Sequence, residues 1–251
     1  MVRTLLLRGM LVGLVAGLIV FAFVRWAGEP QVDKAITFET SQDHAKGDAP
    51  EPEMVSRKIQ KGFGLFTGVT VYGTALGGIF GLVFAYARGR LSQSGPRALS
   101  VLIAGIGFIT IVAAPSLKYP ANPPAVGNPE TIGVRTAAYF LLIAISILAM
   151  SFSLKLRRHG LNSMGEWNAT LLAGLFYIVV VSVLAHFLPP IDEVPAEFPA
   201  SLLWKFRIAS WETNALLWSV MGLLFGWLTE RAEGIAGVRR PNTVGDELRY
   251  S

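Results

Sequence analysis

The sequence predicts an all-α fold, a polytopic membrane bundle of about six transmembrane helices with both termini inside and proline-rich outer loops. Three observations carry that class. The chain is 52% hydrophobic and only 16% charged over 251 residues, whereas soluble domains carry roughly 25% charged residues. Its apolar residues gather into runs near the ~20-residue length that crosses a hydrocarbon core. Its basic residues concentrate in alternate connections, as membrane topology requires.

The runs are Leu5–Val24, Phe63–Ala87, Ala98–Ala114, Val134–Leu154, Ala169–Leu188 and Trp211–Leu228. The first follows Arg3 and Arg8, is longer than the ~7–15 apolar residues of a secretory signal, and lacks a small-x-small cleavage site. It therefore reads as a retained signal-anchor helix. The third is short, and Pro115 is expected to end it. The sixth carries Glu212 and Asn214 in its first turn. The whole chain, 1–251, reads as one integral membrane domain: a first span (1–24), a polar outer loop (25–62), the remaining spans (63–228) and a cytoplasmic tail (229–251).

With the N-terminus inside, the short inner connections "ARGRLSQSGPR" and "KLRRHG" are densely basic, which satisfies the positive-inside rule. The net charge of +5 thus reflects topology and not nucleic-acid binding. Trp26, Tyr119, Trp204 and Trp211 fall near the expected outer interface, and Tyr86, Trp167 and Trp227 near the inner one, the depth amphipathic rings favour. Long cationic side chains in "SLLWKFRIAS", Lys205 and Arg207, are placed to snorkel there. The polar loop from Arg25 to Gly62 is acidic and poorly patterned, so its middle is expected to be mobile. Its end reads as an interfacial helix with Glu53 and Arg57 at i,i+4.

Glycines recur every four residues as Gly9, Gly13, Gly17 and as Gly73, Gly77, Gly81, with Gly64/Gly68 and Gly222/Gly226 as single steps. In lipid such small residues let backbones approach, which predicts tight helix packing. "GLVFAYARGR" (81–90) and "GLLFGWLTER" (222–231) echo one another.

The chemistry lies outside the spans. The chain has no cysteine, which removes disulfides, thiolate metal sites and cysteine nucleophiles. It contains no P-loop, GxSxG, HExxH or dinucleotide fingerprint, so it does not read as an enzyme. No acidic or basic residue lies in the middle of a span, which argues against a mid-membrane proton relay. Thr67, Thr70, Thr74, Thr110, Ser146 and Ser182 remain there, read as partners for backbone or neighbouring helices. Twelve of the 14 prolines fall in the outer segments, above all in "KYPANPPAVGNPETIG" (118–133) and "HFLPPIDEVPAEFP" (186–199). Proline fixes φ, so these connections are stiff. The second presents His186, Asp192 and Glu193, oxygen and nitrogen groups suited to a divalent cation. The structural alternative is that Asp192 and Glu193 cap, or pair with Lys205 and Arg207.

Five phrases resemble one family: "EPEMVSRKIQKGFGLFTG", "YGTALGGIFGLVFAYARGRL", "LKYPANPPAVGNPETIG" with Arg135, "WNA" and "LPPIDEVPAEFPASLLWKFRIAS". Together they resemble the CbtA family of proposed cobalt transporter subunits, over nearly all of the chain after the first span. The resemblance implies cobalt uptake linked to vitamin B12 metabolism across the bacterial inner membrane, with Co2+ as the transported ion. It also implies a small single-span partner, CbtB, with a histidine-containing tail. A rival reading is an accessory or assembly subunit that stabilises a membrane complex and transports nothing.

Overall fold

The computed structural model describes residues 1–46, 55–90 and 95–238, and its regular elements are helices, with no strand among the described residues. α1 (Val2–Phe23) continues through a wide π turn, Val24–Gly28, into α2 (Glu29–Lys46). α3 (Arg57–Ile59) passes through a second π turn, Gln60–Gly64, into α4 (Leu65–Ala87). α5 (Pro96–Gly107), a third π turn, Phe108–Ala113, and α6 (Ala114–Lys118) follow in line. A 3-10 turn, Pro129–Thr131, precedes α7 (Ile132–Phe187), and α8 (Ala200–Val238) comes last. Among the described residues four helical stretches are long and apolar enough to cross a bilayer: Val2–Ala45, Arg57–Ala87, Pro96–Lys118 and Ile132–Phe187. By internal contacts the chain divides into two compact units.

The first unit comprises Met1–Ile19, Thr67–Gly105 and Leu217–Ser251. Here the two glycine ladders meet, Gly9 and Gly13 of α1 lying against Gly77 and Gly73 of α4. A Cβ on Gly73 would stand 2.6 Å from the Gly13 carbonyl oxygen, and one on Gly77 would stand 2.7 Å from the Gly13 Cα. Only hydrogen fits at such separations. The echoed segments also meet, Phe80 and Phe84 packing edge-on against Phe225 at 5.3 and 5.0 Å between centroids. Gly222 and Gly226 lie against Ala104, Ser100 and Arg97 of α5, and the Ser100 hydroxyl donates to the Gly222 carbonyl at 2.7 Å. Ion pairs Arg88–Glu233 and Arg97–Glu230 join the polar ends of these helices.

The second unit comprises Val20–Phe66 and Ile106–Leu216, and here the structure corrects four local expectations. First, the helix does not stop at Pro115 but runs on to Lys118. A proline inside a helix loses one hydrogen bond and crowds the carbonyl four residues back. The π turn just before it widens the backbone, and Pro115 then falls in the first turn of α6. Second, residues 29–46 are helical where a mobile stretch is expected, and residues 47–54 of the same loop lie outside the described residues. Ala35 packs with Val126, Phe198 and Leu202, and Phe38 joins them. On a second face Glu29 and Asp33, spaced i,i+4, meet Arg57 at 2.5 and 3.0 Å, and Lys61 reaches Asp33 at 3.3 Å. Arg57 therefore pairs across to α2, while Glu53 lies outside the described residues.

Third, the basic stretch "KLRRHG" is helical, and the turn comes later. Gly165 adopts φ 78° and ψ 169° and folds α7 into two arms, which hold the fourth and fifth expected spans. Ala138, Leu142 and Ala149 of one arm pack with Tyr177 and Val181 of the other. The Ser146 and Tyr177 hydroxyls are hydrogen-bonded at 2.7 Å. Arg157 binds Glu166 at 2.7 Å and the Thr170 hydroxyl at 2.9 Å across the fold. Fourth, Tyr119 is not an interfacial ring but is buried, its hydroxyl donating to the Pro189 carbonyl at 2.8 Å. Trp26 and Trp204 remain widely exposed. The polar start of the sixth run satisfies itself, Thr213 donating to the Ala209 carbonyl at 2.7 Å and Asn214 to that of Ser210 at 2.9 Å.

Candidate functional site

The two proline-rich connections of the second unit build one site. In the first, the Val126 N–H donates to the Pro123 carbonyl at 3.2 Å and closes a tight turn. Pro124 presets the turn's second residue, and Ala125 takes the left-handed φ of 69° that the third position of a type II turn demands. Gly127 follows with φ 133°. The Arg135 guanidinium lies where a Gly127 Cβ would project, with Nη2 3.1 Å and Cζ 3.2 Å from that position. Glycine is needed here twice, for its backbone and for its missing side chain.

Glu193, from the second connection, ties the pair together. Its Oε2 accepts the Asn128 N–H at 2.8 Å and Arg135 Nη1 at 2.6 Å. The Thr131 hydroxyl lies against Oε1 and also against the Asn128 carbonyl, the latter at 2.9 Å. Asn128 Oδ1 in turn accepts the Glu130 N–H at 2.9 Å. The Thr131 hydroxyl foremost, then the Asn128 N–H and the Arg135 charge, hold the Glu193 carboxyl below its ordinary value of 4.5. Glu193 is thus an ionised fastener for the first loop. Its cation is Arg135, not Lys205 or Arg207.

α8 contributes Arg207, which does not reach for the surface as a snorkelling residue would. Its Nε donates to the Ala121 carbonyl at 3.3 Å and its Nη2 to Asn122 Oδ1 at 3.0 Å. Between these elements lies a cavity of about 410 Å³, lined by Asn122, Arg135, Asp192, Glu193, Arg207 and Trp211 among others. Asp192 is exposed and makes no hydrogen bond or ion pair with the described residues. His186, at the last turn of α7, is exposed beside the Phe187 ring, 5.7 Å between centroids, and does not line the cavity.

Of the three expected cation-binding groups, the structure therefore brings Asp192 and Glu193 to one cavity and leaves His186 outside it. Among the described residues no group of three or more His, Cys, Asp or Glu side chains is disposed to hold a metal ion. Sequence reasoning did not assign roles to Arg135, Thr131 or Asn128. The one signal for Arg135 was its place beside the first proline-rich phrase. Of the mid-span hydroxyls, Thr74 and Thr110 donate to their own helix as expected, at 2.7 and 2.8 Å.

Long apolar helices with Leu171, Leu175 and Ile178 exposed along one flank have the length and surface of a multi-pass membrane protein. The chain belongs to the CbtA family, described as probable cobalt transporter subunit, which matches residues 2–230. No curated protein and no solved structure matches the chain.

Proposed function

We propose that this chain is the membrane subunit of a cobalt uptake system of the bacterial inner membrane, serving vitamin B12 metabolism. The observation that carries the reading is the family match over residues 2–230. The two arms of α7 and the apolar part of α8, added to α1, α4 and α5, make six spans with both termini inside. That topology sets the densely basic "KLRRHG" segment on the inner side and the proline-built cavity on the outer side.

In this reading the cavity receives the cation. Asp192 is the cavity carboxylate with no partner among the described residues, so it meets the cation or its water shell. Glu193 acts first by fastening the loop through Asn128, Thr131 and Arg135, while His186, outside the cavity at the end of α7, would offer its nitrogen only to a cation on its approach. A chain this poor in clustered ligands suits a division of labour with a small single-span subunit of the CbtB kind, which would supply the rest.

The test is uptake of radioactive cobalt in cells lacking their own cobalt importers, with the chain expressed alone and with its small partner, and nickel as competitor. Saturable uptake above empty vector is expected, reduced several-fold by Asp192→Asn at equal membrane abundance. No uptake in either setting, with the protein present in the membrane, would refute transport and leave the accessory-subunit reading.

A further inference from the structure

The cavity is lined by two cations as well as two carboxylates, and that balance bears on what enters it. Arg135 and Glu193 neutralise one another at 2.6 Å. The remaining pair, Arg207 and Asp192, are not joined. Arg207 is half-buried and its partners among the described residues are two neutral oxygens, the Ala121 carbonyl and Asn122 Oδ1. Asp192 has no partner among the described residues. A guanidinium taken partly out of water without a counter-charge is costly, and its fork geometry is suited to a carboxylate. A bare divalent cation would gain from Asp192 but be repelled by Arg207.

Size points the same way. A six-coordinate aqua ion, at ~30 Å³ per water, occupies roughly 180 Å³, while the cavity is about 410 Å³, within the range of small-molecule sites. We infer that the cavity binds a divalent cation already held by a small carboxylate chelator, Arg207 taking a carboxylate of the chelator and Asp192 facing its metal side. This rests on the cobalt reading above and names the form in which the cation is taken.

The test is a calorimetric titration of the purified chain in detergent with four probes: cobalt–citrate, aqua cobalt in a non-coordinating buffer, metal-free citrate, and free histidine. Histidine carries the same separation of charge without metal. Cobalt–citrate is expected to bind at least tenfold more tightly than the other three. Arg207→Gln should lose that preference, and Arg207→Lys, which keeps the charge, should retain part of it. Unchanged thermal stability of the two variants separates loss of binding from loss of fold.

Tighter binding of aqua cobalt, of citrate alone or of histidine would overturn the inference, as would wild-type chelate binding by a folded Arg207→Gln chain or no binding by any probe. Those outcomes are distinct from failure of the cobalt reading, which is decided by cellular uptake. A chain that transports cobalt but binds only the aqua ion would keep the function and lose the chelate.

Discussion

Replacing Gly127 by alanine tests whether the site is held as described. The substitution brings two separable penalties. Gly127 sits at φ 133°, a region that residues with a side chain occupy at a cost of about 1–3 kcal/mol. The new methyl would also stand 3.1 Å from Arg135 Nη2, 3.2 Å from Cζ and closer still to Nη1, whereas ordinary contacts between such atoms fall near 3.5–4.0 Å. The guanidinium must retreat by the better part of an ångström, and the 2.6 Å bond from Arg135 to Glu193 then stretches toward the limit of a hydrogen bond. The assay is a double-mutant cycle on thermal stability in detergent, with hydrogen exchange of residues 119–131 as the local readout. At about 2–4 °C per kcal/mol for a chain of this size, the backbone penalty alone lowers Tm by roughly 2–12 °C. Gly127→Ala should cost more in the native background than in Arg135→Ala, where only that backbone penalty survives. Full additivity across the cycle would show that Gly127 and Arg135 do not meet, and would refute the loop geometry.

Three further outcomes are expected. Gly77→Leu should sharply reduce folded protein recovered from membranes, since a Cβ 2.7 Å from the Gly13 Cα forces apart helices whose overpacking costs about 1–3 kcal/mol or more; size-exclusion of the solubilised protein reads this directly. Arg57→Met should destabilise by roughly 3 kcal/mol, because Glu29, only 6% exposed, is left without its cation, and the double change Glu29→Met with Arg57→Met should recover most of the loss in the same thermal assay. Glu193 titrates below 4.5 in the folded chain, so its contribution is present above the unfolded value and is lost as pH falls through the lower folded one. Exchange protection of residues 119–131 should accordingly be flat from about pH 7 to pH 5 and fall below ~4.5, and Glu193→Gln should abolish that acid step.

What the sequence could disclose depended on whether a pattern was local. The α1 and α4 ladders were legible because glycine at four-residue spacing has one main use in lipid, and the two ladders do pack on each other. The α7 hairpin was legible as two apolar runs, but its turn at Gly165 was not, since the basic residues from 155 to 160 resemble a loop until Ala169 and Thr170 fold back to meet Gly160 and Arg157. α2 was missed because its stabilising contacts lie far along the chain. Ala35 needs Phe198 and Val126, and Glu29 needs Arg57, while its own stretch is polar. Pro115 misled for a similar reason, as the π turn that accommodates it leaves no composition signal. At the site, stiff loops and an available Asp192 followed from residue types. The capture of Glu193 by Arg135 did not, because 58 residues separate the partners.

The two units differ in how they are built, and the difference bears on how a carrier of this kind would work. In the first, α1 and α4 touch through backbone at Gly13, Gly73 and Gly77, so neither helix can slide or rotate without collision. In the second lie all three π turns of the described residues, at Val24–Gly28, Gln60–Gly64 and Phe108–Ala113, together with Ala125 and Gly127 at positive φ and the fold at Gly165. A π turn holds one residue more than the helix around it needs, and such turns gather at functional sites because they re-aim side chains. The Phe108–Ala113 turn ends just before Pro115 and Ser116, and the cavity wall includes Val112, Ser116 and Tyr119 from this same stretch. Any shift of that extra residue would therefore move the wall itself. In the proposed carrier, rigid backbone packing in one unit and π turns in the other would place any cargo-linked movement in the unit that holds Asp192 and Arg207.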